Sequence, residues 1–217
     1  MDFLRNQKRL GVILLSILST VLFVLLLAPP EATLGEGIRT VYLHVGLIWT
    51  GMAGFVAAAF IGALILWRPL PNWLSWLETV SWVAFGFYTA GVLMSMVASW
   101  DNWGAVFMQE PRMSAAVNSL AVAIIVLIIS SWSPWPRVRG GLQILLLIVI
   151  FWLTYSAPKI LHPSNPIWSS DSLGIQLAFL SLFLLFAGAA SYLAWHLYHR
   201  RRISAGKDNN QEKFSKP

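Results

Sequence analysis

Six apolar stretches separated by short polar or proline-bearing segments set the pattern of this chain: Leu10 to Ala28, Thr40 to Trp67, Leu77 to Ala98, Ser114 to Trp132, Leu142 to Ala157 and Leu173 to Tyr198. A bilayer core about 30 Å thick needs roughly 20 apolar residues per helix, and these runs reach or approach that length. The fifth is short, while the second and sixth are long enough to tilt or protrude. In hydrocarbon every backbone amide and carbonyl must be paired within the segment, so each run predicts a helix. The pattern therefore predicts an all-α integral membrane protein with six transmembrane helices, residues 1–202 forming one domain. Loops 29–39, 99–113 and 158–172 connect the spans on one face. The polar stretch 203–217 is expected to be a disordered tail.

Composition agrees: 57% of the 217 residues are hydrophobic and 11% charged, more apolar surface than one soluble core buries. The first run follows Arg5, Lys8 and Arg9, as a signal peptide would. It is too long for one, however, and Ala-Pro-Pro follows in place of a small-x-small cleavage site, so an uncleaved anchor is expected. The net charge of +6 does not point to nucleic acid, because the basic residues gather at span ends and in the tail. Arg5, Lys8, Arg9, Arg68, Arg137, Arg139, Arg200, Arg201, Arg202, Lys207, Lys213 and Lys216 all fall on one side of the six-span arrangement, leaving Arg39, Arg112 and Lys159 on the other. By the positive-inside rule both termini are cytoplasmic, in a bacterial-type inner (cytoplasmic) membrane. With no cysteine there is no disulfide framework and no thiolate site.

That topology sorts the four histidines. His44, in Arg39-Thr-Val-Tyr-Leu-His-Val45, stands at the outer mouth of the second span, and His162 follows the fifth on a stretch stiffened by Pro163 and Pro166. Two imidazoles on one face can grip a metal or a haem iron. His196 and His199 fall on the inner face beside Arg200 to Arg202 and read as an anchor for anionic membrane lipid. The third loop, Ser99 to Met113, mixes Trp100, Trp103 and Phe107 with Asp101, Glu110 and Arg112. Each residue also has a plainer role: histidines at helix mouths commonly hydrogen-bond at the interface, tryptophans form aromatic belts, and arginines snorkel to headgroups. No carboxylate or histidine lies deep in a span, which counts against a proton-coupled pump. Small residues along the second span, Gly51, Gly54, Ala57, Ala58 and Gly62, permit close helix packing.

Arg39-x-x-Tyr42-Leu43-His44-Val45 with Trp49, the Trp103-Gly104 loop followed by an acidic residue and Arg112, and a histidine after the fifth span together resemble the cytochrome c biogenesis proteins of the CcmC type. The likeness runs from about Ile38 to the sixth span. It implies six helices with both termini inside, haem b bound transiently, and His44 and His162 as axial ligands. It implies an aromatic platform drawn from Trp100, Trp103, Gly104, Phe107, Glu110 and Trp168, with Arg39, Arg112 and Lys159 pairing the propionates. The family pattern Trp-Gly-x-x-Trp-x-Trp-Asp stands here as Trp103-Gly104-Ala105-Val106-Phe107-Met108-Gln109-Glu110. Phenylalanine still stacks on a porphyrin and glutamate keeps the charge, but Gln109 removes an aromatic wall.

The implied function is a haem-handling cytochrome c assembly factor that passes haem from the outer face to a haem chaperone or apocytochrome c. Bis-imidazole ligation suits carriage rather than catalysis, and no nucleophile with a positioned base is visible, so no enzyme activity is expected. Without a Gly-x-x-x-x-Gly-Lys-Ser/Thr loop, any ATP use belongs to another subunit, such as an ABC transporter complex. Two alternatives stay open: a membrane transporter subunit, and a scaffold subunit of an assembly or respiratory complex that does not bind haem.

Overall fold

A computed structural model describes the backbone of residues 2–158, 160 and 170–215, and the side chains of residues 7–158, 160 and 170–202. Six α-helices follow in chain order: α1 Asp2–Leu27, α2 Ile38–Trp67, α3 Pro71–Trp103, α4 Pro111–Trp132, α5 Pro136–Ser156 and α6 Leu173–Ser215. All six contain stretches long and apolar enough to cross a membrane, and no strand-built sheet occurs among the described residues.

The first five helices begin earlier than their apolar runs, while α6 begins at Leu173 as expected. Pro71, Pro111 and Pro136 each open a helix at its first turn, where the missing amide hydrogen costs nothing and the fixed φ is already helical. Thus α3 starts six residues before Leu77, and α5 six before Leu142. The far end of α3 also exceeds expectation. It runs to Trp103, where Gly104 takes a left-handed φ of 72° and returns its amide to Trp100 O at 2.8 Å. Trp100, Asp101, Asn102 and Trp103 are therefore the last helical turn and not loop. At 33 residues and 1.5 Å per residue, α3 is about 50 Å long, so its ends reach well past a hydrocarbon core. Past Arg202, the helical backbone of α6 runs on to Ser215. Extending an existing helix needs no new nucleus.

Helix α2 is the centre of the bundle, packing along α3 and against α5 and α6. Its glycines make this possible. A methyl group on Gly51 would lie 2.6 Å from the Tyr88 backbone nitrogen, and one on Gly62 2.5 Å from Gly140 O on α5, so the helices touch backbone to backbone as small residues allow in membranes. Around this seam lies one apolar cluster of Phe55, Ala84, Tyr88, Val92, Ala123, Val126, Leu146 and Ile150. A second cluster joins α1 to α2 and α6 through Val21, Leu25, Ile38, Tyr42, Phe179 and Leu182. Tyr42 is fully buried there. Its hydroxyl donates to Pro29 O at 2.9 Å and its ring meets Phe179 edge-on at 4.6 Å, locking the α1–α2 connection.

At the end of the bundle opposite His44, Glu78 of α3 holds Arg139 of α5 at 3.4 Å and Arg201 of α6 at 3.0 Å. Trp76 stacks on Tyr198 nearby, centroids 4.1 Å apart. His196 departs from the lipid-anchor expectation. Only 7% exposed, it is packed within the bundle beside Tyr192, one turn earlier on the same face of α6, ring centroids 6.4 Å apart. His199 stays exposed, edge-on to Trp195 at 4.6 Å.

Candidate functional site

His44 lies six residues into α2, about 9 Å along its axis, and is half-buried against α3 rather than standing at the helix mouth. Its Nδ1 is 3.0 Å from Gly91 O. A carbonyl only accepts, so Nδ1 carries the hydrogen in this contact. Gly91 allows this closeness: a methyl there would sit 2.8 Å from the Ile48 amide nitrogen. A metal-binding histidine is typically oriented this way, one ring nitrogen donating to a carbonyl while the other serves as ligand.

The start of α2 is tied to the end of α3 by polar side chains. Asn102 Nδ2 donates to Gly37 O at 3.1 Å, to Thr40 Oγ1 at 3.3 Å and to Ala98 O at 2.9 Å, and the Thr40 hydroxyl lies 3.2 Å from Asp101 Oδ2. Asp101 thereby brings negative charge toward the positive end of the α2 dipole. The neighbours of these residues in the chain, Trp100 and Trp103, are 65% and 42% exposed. With Val106, Phe107 and Met108 they form an uncovered apolar shelf at the His44 end. The shelf is held from below by Ser99 Oγ, which donates to Ala105 O at 2.7 Å.

Glu110 is 8% exposed and caps α4, its Oε2 accepting from Met113 N at 2.7 Å. Its carboxylate is thus committed in part to the helix start. Arg39 pairs with Glu36 at 2.7 Å. Arg112 stands in the first turn of α4, where the helix dipole opposes a cation, half-buried, and its Nε has no hydrogen-bond partner among the described residues. An arginine kept in that position is suited to an anion. Lys159, His162 and Trp168 lie outside the described residues. No group of three or more histidine, aspartate or glutamate side chains able to hold a metal ion occurs among the described ones.

The structure therefore joins the helix of His44 to the turn bearing Trp100 and Trp103, a link that Asn102 and Thr40 make and that sequence reasoning missed. The signal available was Asn102 itself, a polar residue between two tryptophans at a span end. Gln143, 2% exposed in α5, was also missed. Compared with known protein families, the chain matches no family model.

Proposed function

We propose that this chain is a haem-handling cytochrome c assembly factor, holding haem at the outer face of a bacterial-type cytoplasmic membrane and delivering it to a haem chaperone or apocytochrome c. The observation that carries the reading is the orientation of His44. Its Nδ1–H is taken by the Gly91 carbonyl, so Nε2 would be the nitrogen to ligate iron, on a helix pinned to an exposed aromatic turn. The residue types are those the implied group would use: one imidazole, flat apolar surface from Trp100, Trp103 and Phe107, and a half-buried arginine, Arg112, for a propionate. His162 is proposed as the second axial ligand, with Arg39 and Lys159 as further propionate partners and Trp168 as part of the platform. When bound, haem supplies an iron that takes two imidazoles and is then closed to further ligands. The chain's own part is to orient His44, cover the porphyrin face and neutralise the propionates.

A scaffold subunit that does not bind haem is the second reading. The replacement of a platform tryptophan by Gln109 and the capping role of Glu110 favour it. Visible absorption of the detergent-purified protein after haem reconstitution decides between the two. The first reading expects a low-spin bis-histidine spectrum that His44→Gln and His162→Ala each abolish, with size-exclusion profiles unchanged. Failure of the wild-type protein to take up haem, or unchanged spectra in both variants, overturns it.

A further inference from the structure

The end of the bundle opposite His44 carries a cavity that the proposed haem chemistry does not use. It is a shallow, largely open cavity of about 300 Å³, and Pro69, Trp135, Pro136 and Arg137 line it. It opens between the α2–α3 connection and the α4–α5 connection, where two hydrophobic helices end and two begin. Three facts constrain what it can hold.

The first is charge. Of the arginines on this face, Arg139 and Arg201 are held by Glu78. Arg137 lines the cavity and Arg68 precedes its wall residue Pro69; both are exposed, and neither is paired with a carboxylate among the described residues. The cavity also opens beside the first turn of α5, whose flanking Trp135 supplies no side-chain cap, which adds positive potential.

The second is surroundings. Trp67, Trp132 and Trp135 are 83%, 81% and 67% exposed, as tryptophans are where hydrocarbon meets headgroups. The cavity thus lies at headgroup depth in a chain with six membrane-length helices. The third is shape. The volume is at the small end for ligand sites and accommodates a phosphodiester with its glycerol carbons, and Pro69 and Pro136 give its wall two residues of fixed φ.

We infer that this cavity is a binding site for the phosphodiester headgroup of an anionic phospholipid, with Arg137 and Arg68 contacting the phosphate and Trp135 covering the glycerol backbone. Charge complementarity selects an anionic over a zwitterionic lipid.

The test compares the thermal midpoint of the full-length protein in detergent micelles doped with phosphatidylglycerol, with phosphatidylcholine, or supplied with inorganic phosphate alone. Phosphatidylglycerol is expected to raise the midpoint beyond phosphatidylcholine. The Arg68→Gln, Arg137→Gln variant should need about thirtyfold more phosphatidylglycerol for the same gain, from about fivefold per arginine at an anionic surface. Lys207→Gln, Lys213→Gln removes the same charge from the tail and should keep the wild-type response. An equal response in the two double variants overturns the proposal in favour of diffuse surface charge. An equal gain from inorganic phosphate overturns the lipid assignment, and no selectivity for phosphatidylglycerol in the wild-type protein overturns the site.

Discussion

Gly51→Ala places a methyl group where α2 and α3 are in backbone contact. The added carbon would lie 2.6 Å from Tyr88 N, 2.6 Å from Tyr88 Cβ and 2.7 Å from Tyr88 Cα. Ordinary contact between carbons is about 3.5–4.0 Å, and the obstacle is mostly helix backbone, so the helices must separate locally by about 1 Å. Helix propensity favours alanine by about 1 kcal/mol, whereas overpacking costs about 1–3 kcal/mol. Three close contacts on a rigid neighbour put the cost at the upper end, leaving a net loss of about 2 kcal/mol and lowering the melting midpoint by about 4–8 °C. Separation at Gly51 also propagates two turns along α2 to His44. A 1 Å opening there stretches the 3.0 Å contact to Gly91 O beyond hydrogen-bond range. The assay is thermal unfolding in detergent followed by intrinsic tryptophan fluorescence, with Gly86→Ala alongside, since a methyl at Gly86 meets nothing within 4 Å. Gly86→Ala should match or slightly exceed the wild type. A Gly51→Ala protein as stable as Gly86→Ala would refute backbone contact between α2 and α3.

Tyr42→Phe removes the hydroxyl that donates to Pro29 O and leaves the ring on Phe179; it should cost about 1 kcal/mol and speed amide exchange in residues 31–37, read by hydrogen–deuterium exchange. Glu31, in the α1–α2 connection, accepts from the Leu34 amide at 2.9 Å and the Thr33 amide at 2.8 Å, and these bonds, that to Leu34 foremost, hold its carboxyl below the usual carboxylate value. The charged form is thus favoured by folding, so its contribution is full above the unfolded carboxylate pKa and fades as pH falls through the lower folded value. Protection of the Thr33 and Leu34 amides should drop on acidification below about pH 4 in the wild type and be low at every pH in Glu31→Gln; a wild-type protection that does not change with pH would exclude the turn.

Several features were legible in the sequence because they depend on local chemistry alone. The number of helices follows from hydrophobic length, since a backbone in hydrocarbon must pair with itself whatever its neighbours do. Glycines of the second span marked it as a helix able to pack closely, and α2 is the centre of the bundle. Helix ends were less legible. A hydropathy run begins and ends where side chains turn polar, but a helix begins at its cap or N-terminal proline and runs until something stops it, as α3 begins at Pro71 and ends at the left-handed Gly104 and α4 begins after its cap Glu110.

The residue types of the candidate site, an imidazole and a run of aromatics, were likewise present in the sequence, and so were the charges that fix an expected orientation. Their arrangement was not. Nothing local to Asn102 says that it reaches Gly37 across the α2–α3 seam, or that His44 turns its Nδ1 to Gly91. Nor does anything local say that His196 faces inward while His199 stays exposed. The sequence by itself determined which segments are helical and what chemistry each carries, because backbone pairing and hydropathy act within a segment. Only the tertiary structure decided which side chains meet, because that depends on the rotation and depth of each helix against its neighbours, set by backbone contacts such as Gly51 on Tyr88 and Gly62 on Gly140.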